Sequence, residues 1–340
     1  MLSENTGRVA AGEDLTRQEA EAAMEELLSG RASDDEIAGL LAALRAKGPT
    51  VEELVGFARA MRRHAQPIFP DGRRPAGALV DTCGTGGDAA GTFNISTAAA
   101  FVVAGAGVRV AKHGNRSFSS KCGSADVLEA LGLSLALPAG RIGAAIEHVG
   151  IGFLFAPAVH TAMRHAMAAR RKLGGQTVFN LLGPLTNPAG ASAQVLGVFA
   201  PALTDLLAQA ASQLGIARAF VVHGTDGLDE ISLCADTYVA EVNEGAVRRY
   251  TVGPEDFGLA RVPSKALAGG DAAENARIIR AIFEGECGPR RDVVLANASA
   301  ALVAAGRAAD FREGVRMAAE SLDSGAARAK LDSLIFFAKA

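Results

Sequence analysis

Apolar residues recur at helical spacing in the first part of the chain, after three segments of the form Ser/Thr-x-x-Glu. These segments begin at Thr16, Ser33 and Thr50. Such a capping box satisfies two backbone N–H groups at the start of a helix, so each segment predicts a helix. The apolar positions of the first two helices share one face of each: Ala20, Ala23, Met24, Leu27 and Leu28, then Ile37, Leu40, Leu41 and Leu44. Gly30 and Gly48 are predicted to end these helices.

The hydrophobic pattern changes after a linker rich in Pro, Gly and charge at residues 66–77. Beyond it, short apolar or β-branched runs alternate with helical stretches rich in Ala and Gly. Strands are predicted at 78–82, 108–111, 194–199 and 219–223, and helices at 95–105 and 125–131. This alternation predicts an α/β domain with a mainly parallel central sheet. We therefore divide the chain into a small all-helical domain, residues 1–72, and a larger α/β domain, residues 73–340.

Composition and charge exclude several classes of protein. The 340 residues are 49% hydrophobic and 21% charged, which suits a globular protein, and the net charge of −3 gives no broad attraction to nucleic acid. The four cysteines form no CxxC pair, so neither a disulfide framework nor a zinc site is expected. No signal peptide and no apolar run long enough to cross a bilayer are found, and we expect a cytoplasmic protein without a membrane partner.

The first predicted strand runs into a glycine loop at residues 83–88 (CGTGGD). Glycines let the backbone approach a ligand closely, and N–H groups before a helix form an anion site. The alternative is an ordinary turn, with Asn94, Ser96 or Thr97 as a helix cap. The loop is not a Walker A motif, but it fits a relaxed dinucleotide pattern, GxGxxA, which requires an acidic residue after the next strand.

A basic segment follows the next strand instead, at residues 112–116 (KHGNR). It continues through Ser117, Ser119 and Ser120 to Ser124 before the next helix. The dinucleotide pattern requires an acidic residue here to bind the hydroxyls of a ribose. The cationic and hydroxyl side chains found instead suit a second phosphate group better. Because parallel strands end at one edge of a sheet, a ligand with a phosphate at each end would contact both loops.

Two further groups of residues have both a chemical and a structural interpretation. Asp229 and Glu230 lie in a glycine-rich loop after the strand at 219–223 and suit Mg²⁺, although a solvated acidic turn has the same pattern. Arg170 and Arg171 end a helical stretch, where they either stabilise its C-terminus or bind a substrate carboxylate.

Cys83, in the glycine loop, could be interpreted as a nucleophile. No base that would activate its thiol is evident from the sequence, so a small side chain that fills buried space is the favoured interpretation.

Six motifs in order resemble the anthranilate phosphoribosyltransferase family. They are residues 81–88 (DTCGTGGD), 94–97 (NIST), 112–117 (KHGNRS) running on to 124–132 (SADVLEALG), 179–188 (FNLLGPLTNP), 227–230 (GLDE) and 253–259 (GPEDFGL). The resemblance covers nearly the whole chain. It implies a helical domain that forms a homodimer and an α/β domain as in the pyrimidine nucleoside phosphorylases. It also implies a phosphoribosyl transfer in tryptophan biosynthesis, from phosphoribosyl pyrophosphate to anthranilate.

The resemblance also assigns site residues. It implies that Gly84, Gly87, Asp88 and Thr92 contact phosphoribosyl pyrophosphate, and that Asn94, Ile95, Ser96 and Thr97 hold its diphosphate. Lys112, His113, Gly114, Asn115, Arg116, Ser117, Phe118, Ser119 and Ser120 then line the phosphoribosyl site, with Ser124 nearby. Asn115 and Arg170 face anthranilate, which for Arg170 replaces the capping interpretation. Two Mg²⁺ ions are expected, one held by Ser96 and one by Asp229 and Glu230.

The chain departs from the family pattern near the expected channel for the aromatic substrate. Residues 159–161 are Val-His-Thr where the family usually has His-His-Pro, and Ala168 and Ala169 stand where a proline is common. A nucleoside phosphorylase on the same scaffold is one alternative function, but it would not need the Asp229–Glu230 pair. A non-catalytic relative that binds nucleic acid is another, but the negative net charge and intact motifs disfavour it. The linker at 66–77 suggests that the helical domain acts as a lid over the cleft.

Overall fold

The computed structural model describes residues 2–117 and 121–339. Its helices are α1 (Leu2–Ala10), α2 (Arg17–Leu28), α3 (Asp34–Lys47), α4 (Val51–His64), α5 (Ile95–Gly105), α6 (Ser124–Leu131), α7 (Ala139–His148), α8 (Ala156–Val159), α9 (Met167–Leu173), α10 (Val178–Leu185), α11 (Ala202–Gln213), α12 (Ala272–Phe283), α13 (Pro289–Ala304), α14 (Phe311–Asp323) and α15 (Ala326–Lys339). Its strands are β1 (Leu79–Asp81), β2 (Arg109–Gly114), β3 (Ile151–Phe155), β4 (Ala193–Gly197), β5 (Arg218–Gly224), β6 (Thr237–Asn243) and β7 (Ala246–Val252). Short 3₁₀ helices occupy Thr161–Ala166, Pro254–Phe257 and Ser264–Leu267.

The seven strands form one sheet in the order β3-β2-β1-β4-β5-β6-β7. The first five strands pair in parallel, whereas β6 and β7 form an antiparallel hairpin at one edge. The predicted fold class, a helical N-terminal part followed by an α/β part with a mainly parallel sheet, is confirmed. The chain order leaves β1 in the middle of the sheet, so its carboxyl end lies between those of β2 and β4.

Three apolar clusters cover the sheet, and the two largest lie on opposite faces. One cluster joins the sheet to α5 and α13, whose alanine-rich faces allow close approach. The other runs from α2, α3 and α4 through α10 and α11 to β4, β5 and β6. The helical layer is therefore packed on this face of the sheet through α10 and α11. Within the described part of the chain, no helix is long and apolar enough to cross a membrane.

The N-terminal helices begin where the sequence predicts. All three capping boxes are formed, and the Thr16 hydroxyl, for example, accepts from the N–H of Glu19 while that glutamate accepts from the N–H of Thr16. The predicted apolar faces of α2 and α3 are buried. A further helix, α1, was not predicted because its sequence is mostly polar. Later segments join this layer, since α9 packs on α3 and the 3₁₀ helix Thr161–Ala166 packs on α2.

Candidate active site

The glycine loop after β1 lies against the carboxyl end of β4. The Thr85 N–H donates to the Gly197 carbonyl (2.8 Å), and the Thr85 hydroxyl accepts from the Phe199 N–H (3.2 Å). A Cβ on Gly84 would lie 2.9 Å from the Gly197 carbonyl oxygen, so a side chain there would push the loop off the strand. Gly86 and Gly87 have φ values of 64° and 90°, which favour glycine. The loop thus exposes backbone at the edge of the sheet, as the sequence predicts.

The two predicted halves of the metal site meet at the start of α5. The Ser96 N–H donates to the Glu230 carboxylate (3.1 Å), and the Asp229 N–H lies 3.4 Å from the Asp88 carboxylate. Burial raises the pKa of Glu230 to about 7, although Lys112 and hydrogen bonds from Ser96 act in the opposite direction. Burial and the neighbouring charge of Asp88 raise the pKa of Asp229 well above its usual value. These contacts bring Asp88, Asp229 and Glu230 to the start of α5 beside the Ser96 hydroxyl, and carboxylate and hydroxyl oxygens are ligands that a hard divalent cation prefers.

Lys112 ties β2 to β1 behind this acidic group. Its ammonium donates to the Thr82 carbonyl (2.9 Å) and to the Thr82 hydroxyl (3.2 Å), and only 3% of the residue is exposed. The Thr82 hydroxyl in turn donates to the Ser96 carbonyl (3.0 Å). The buried positive charge therefore sits next to the segment that carries the diphosphate motif, where it favours anionic groups.

Asn94 does not cap α5, which corrects one interpretation of the sequence. Its amide nitrogen donates to the Cys122 carbonyl (3.1 Å), and its amide oxygen accepts from Asn275 (3.0 Å). The amide is occupied by these contacts, so it cannot also satisfy N–H groups of the helix. Asn94 instead joins the segment before α5 to the segment before α6. Thr92 pairs with Ala268 in an isolated bridge that holds the same segment.

The basic segment at 112–116 begins inside β2, because this strand extends to Gly114 and not only to residue 111 as the sequence predicts. The Arg116 guanidinium pairs with Asp126 (3.0 Å) and Glu129 (2.5 Å) on α6. The Ser124 hydroxyl donates to the Asn115 carbonyl (3.3 Å), and a Cβ on Gly114 would meet that hydroxyl at 2.2 Å. These contacts fix the backbone that follows β2. The predicted site residues Phe118, Ser119 and Ser120 lie outside the described residues.

A buried polar group lies on the other face of β1 and β2. Ligand atoms of Asp81, Cys83 and His113 lie within 4.8 Å of one another, the one such group of potential metal ligands among residues 2–117 and 121–339. The Asp81 carboxylate accepts from Asn187 Nδ2 (2.7 Å) and from the His113 N–H (3.1 Å). Both of its oxygens are thus used, and burial raises its pKa to about 6. Burial also raises the pKa of the Cys83 thiol, which favours the filler interpretation over a nucleophile.

His113, a member of this group, lies beside His160, and both rings are neutral at pH 7. Their centroids are 5.0 Å apart, and the Nε2 atom of each is buried with no hydrogen-bond partner among the described residues. His113 Nδ1 lies 3.0 Å from the Gly183 carbonyl, so Nδ1 carries the proton and Nε2 is free to accept. Burial lowers the pKa of His113 to about 4 and that of His160 to about 3. Residues 159–161, where the chain departs from the family pattern, therefore still place a histidine ring, that of His160, beside the basic segment at 112–116.

Arg170 is half-buried on α9, and its guanidinium lies 5.2 Å from the ring centroid of Phe179. Burial lowers its pKa, and within the described residues it forms no ion pair. This cation thus lies in the helical layer over an aromatic ring. Such a guanidinium can donate two hydrogen bonds to a carboxylate in a bidentate contact.

The chain matches known families and structures over most of its length. The family models described as "Glycosyl transferase family, helical bundle domain" and "Glycosyl transferase family, a/b domain" match residues 4–65 and 76–328. An anthranilate phosphoribosyltransferase of Syntrophobacter fumaroxidans is 55% identical over 335 residues, which are 98% of this chain and 98% of the relative. This chain belongs to the anthranilate phosphoribosyltransferase family.

Solved structures of family members agree with the fold. The enzyme of Thermus thermophilus superposes with a TM-score of 0.92 at 48% identity, covering 98% of this chain and 99% of that one. The enzyme of Saccharomyces cerevisiae, in complex with phosphoribosyl pyrophosphate and Mg, superposes with a TM-score of 0.90 at 28% identity, covering 99% and 98%. The yeast enzyme has also been solved with 4-fluoroanthranilate, at a TM-score of 0.88 and 27% identity, covering 99% and 97%.

Some residues that shape this family site were missed in the sequence analysis. Thr82, Asn187, Asn275 and Asn297 are all buried and bonded to site segments. Asn297 had a usable signal, because it is a lone amide within the apolar run of α13. Thr82 and Asn187 lie in the motifs at 81–88 and 179–188, although their contacts were not predicted. Asn275 had no such signal, since its partner Asn94 is 181 positions away along the chain.

Proposed function

We propose that this chain transfers the 5-phosphoribosyl group of phosphoribosyl pyrophosphate to the amine of anthranilate. The products are N-(5-phosphoribosyl)anthranilate and pyrophosphate, and the reaction is the second step of tryptophan biosynthesis from chorismate. The observation that carries the proposal is the half-buried pair Asp229 and Glu230 beside the glycine loop, where Glu230 accepts from the Ser96 N–H and the Asp229 N–H donates to Asp88. Family members crystallised with phosphoribosyl pyrophosphate and Mg, and with 4-fluoroanthranilate, support both substrates.

We assign the donor side of the site to the edge formed by β1, β2 and β5. Gly84, Gly87, Asp88, Thr92 and residues 94–97 bind the diphosphate, and Lys112 to Ser120 with Ser124 line the phosphoribosyl group. Ser96 holds one Mg²⁺, and Asp229 with Glu230 holds the second. The hydrogen bond from the Ser96 N–H to Glu230 and the contact between Asp229 and Asp88 support this assignment, because they bring oxygen ligands together at one place.

The chain's own residues act mainly through position and charge. Mg²⁺, when bound, neutralises the negative charge that develops on the departing pyrophosphate. Exposed N–H groups of the glycine loop and the buried Lys112 ammonium stabilise the same charge. Asn115 and Arg170 orient anthranilate, with the Arg170 guanidinium binding its carboxylate. The aromatic amine is neutral at pH 7, so we assign no catalytic base.

The domain arrangement and assembly also belong to the proposal. Residues 1–72 form the helical domain and residues 73–340 the α/β domain, which agrees in outline with the two matched family models. The helical domain forms the homodimer contact and acts as a lid over the cleft. Segment 66–77 connects the two, and its Gln66 N–H donates to the Val159 carbonyl at the end of α8 in the α/β domain (2.8 Å).

The test is to mix the protein with anthranilate, phosphoribosyl pyrophosphate and Mg²⁺, and to follow the loss of anthranilate fluorescence. Loss should require all three components and should vanish in the double variant Asp229→Asn with Glu230→Gln. A matched control is Asp236→Asn, which removes an exposed carboxylate paired with Arg261 on the same side of the sheet. Phosphorolysis of a pyrimidine nucleoside without any transfer to anthranilate would contradict the proposal.

A further inference from the structure

Two buried asparagines connect the active site to helices that are otherwise part of the apolar core. Asn275 on α12 is 1% exposed and Asn297 on α13 is 2% exposed. Each uses its side-chain amide on a segment that carries proposed ligand-binding residues. Buried amides are retained only where both their donor and acceptor groups are satisfied, so these contacts need a structural or functional explanation.

Asn297 bonds to both backbone groups of Ile231, the residue that follows Glu230. Its Oδ1 accepts from the Ile231 N–H (2.9 Å), and its Nδ2 donates to the Ile231 carbonyl (3.0 Å) and to the Val293 carbonyl (2.9 Å). On the other side of the same segment, a Cβ on Gly197 would lie only 1.5 Å from the Asp229 carbonyl oxygen. The backbone of the acidic pair is therefore confined between α13 and β4.

Asn275 makes the equivalent contact with the diphosphate segment. Its Oδ1 accepts from the Gly270 N–H (2.7 Å), and its Nδ2 donates to Asn94 Oδ1 (3.0 Å). This fixes the orientation of the Asn94 amide, whose nitrogen then donates to the Cys122 carbonyl (3.1 Å). One side chain thus sets the spacing between the segment before α5 and the segment before α6.

We propose that Asn297 and Asn275 are positioning residues for two separate binding events. Asn297 sets the placement of Asp229 and Glu230 and hence the affinity for Mg²⁺. Asn275 sets the placement of Asn94 and hence the affinity for the diphosphate itself. The inference rests on the proposed function, but it concerns residues that contact neither substrate nor metal.

The amide group explains why asparagine stands at both positions. It donates and accepts without carrying a charge. Asn297 needs both functions for the N–H and carbonyl of Ile231, and Asn275 needs them to join the Gly270 N–H to the Asn94 amide oxygen. A carboxylate at 297 would place a second acceptor against the Ile231 and Val293 carbonyls, and leucine would leave the Ile231 groups unpaired. Both changes free the acidic segment to move while keeping the volume of the side chain.

The experiment is a calorimetric titration of phosphoribosyl pyrophosphate into the protein, without anthranilate, at low and at high Mg²⁺. Asn297→Leu and Asn297→Ser should raise the apparent dissociation constant for Mg²⁺ by about tenfold, because losing a residue that orients a metal ligand weakens metal binding by about this much. Their affinity for phosphoribosyl pyrophosphate should return to the wild-type value at high Mg²⁺. In Asn275→Leu the affinity should fall by about tenfold at both Mg²⁺ concentrations, since a buried hydrogen bond is lost.

The matched control is Ser299→Ala, two residues along α13. Ser299 is equally buried, but its hydroxyl donates to the Phe311 carbonyl (2.7 Å) and not to the active site. This variant should lose stability but keep the wild-type dissociation constants for Mg²⁺ and for phosphoribosyl pyrophosphate. The inference is overturned if folded Asn297 variants have the wild-type dissociation constant for Mg²⁺. It is also overturned if high Mg²⁺ restores the affinity of Asn275→Leu for phosphoribosyl pyrophosphate but not that of Asn297→Leu. Failure of the wild-type protein to bind phosphoribosyl pyrophosphate would instead count against the proposed function.

Discussion

Buried polar side chains around the site are held in place by hydrogen bonds from distant parts of the chain. Asp81 accepts from Asn187 and from the His113 N–H, and Lys112 donates twice to Thr82. The sequence predicted that the Asp81 and Lys112 segments carry chemistry, because glycines and charges follow strands there. It could not predict Asn187 as the partner, since that contact joins residues separated by 106 positions.

The buried histidines predict a specific dependence of stability on pH. The pKa of His160 is lowered to about 3 by burial, while an unfolded histidine titrates near its ordinary value. Between those values the unfolded chain binds more protons, so the free energy of unfolding falls as the pH falls below about 6.5. In His160→Phe the slope of this free energy against pH, between pH 5.5 and 4.5, should decrease by about 1.4 kcal/mol per pH unit.

Urea unfolding at several pH values measures this slope. His148→Phe is a matched control, because that ring is exposed and meets water in both the folded and the unfolded chain. Its slope should equal that of the wild-type protein. An unchanged slope in His160→Phe would show that this ring is not buried in a neutral form.

Secondary-structure elements were predictable wherever their own sequence carries a complete signal. The capping boxes located α2, α3 and α4, and buried apolar runs located β1, β2, β4 and β5. The strand β3 (IGFLF) is too short and glycine-containing to be told from a buried helical turn by its pattern. The edge strand β7 is mostly exposed and carries two arginines, so it is a strand only because it pairs with β6.

The end of strand β4 provides a test of how tightly these elements are packed. In Gly197→Ala the new Cβ would lie 1.5 Å from the Asp229 carbonyl oxygen, so the acidic segment must move. Overpacking of this kind destabilises a protein by about 1–3 kcal/mol. We expect such a loss in the free energy of unfolding, together with a weaker response of activity to Mg²⁺.

Chemical denaturation and a Mg²⁺ titration of activity check both parts of this prediction. Gly140→Ala on α7 is the matched control, because its Cβ would meet only Pro70, at an ordinary 3.9 Å. That variant should be at least as stable as the wild-type protein, since alanine favours a helix over glycine. Wild-type stability and Mg²⁺ response in Gly197→Ala would contradict the packing seen at this strand end.

At the scale of the whole molecule, the helical layer and the sheet share one apolar cluster. This cluster extends from α2–α4 through α10 and α11 to strands β4–β6. Arg62 at the end of α4 reinforces the contact, because its guanidinium donates to the carbonyls of Leu185 (2.9 Å) and Leu214 (3.0 Å) at the ends of α10 and α11. Burial lowers its pKa to about 10, which leaves it charged at neutral pH. The sequence indicated that the helices need a partner surface, but not which surface.

This shared cluster limits how far the helical domain can move as a lid. A large rotation would expose the apolar residues between α4 and α11, at about 25 cal/mol per Å². We therefore expect small-angle scattering to show a small decrease in the radius of gyration when anthranilate, pyrophosphate and Mg²⁺ are added together. The scattering mass should correspond to two chains with and without these ligands. Identical scattering curves would contradict closure, and a mass of one chain would contradict the dimer.

The variant Arg62→Ala tests the contact between the helical layer and the helices below it. It leaves the carbonyls of Leu185 and Leu214 without the guanidinium, so the helical layer should be held less firmly. The radius of gyration of the unliganded variant should rise above that of the wild-type protein.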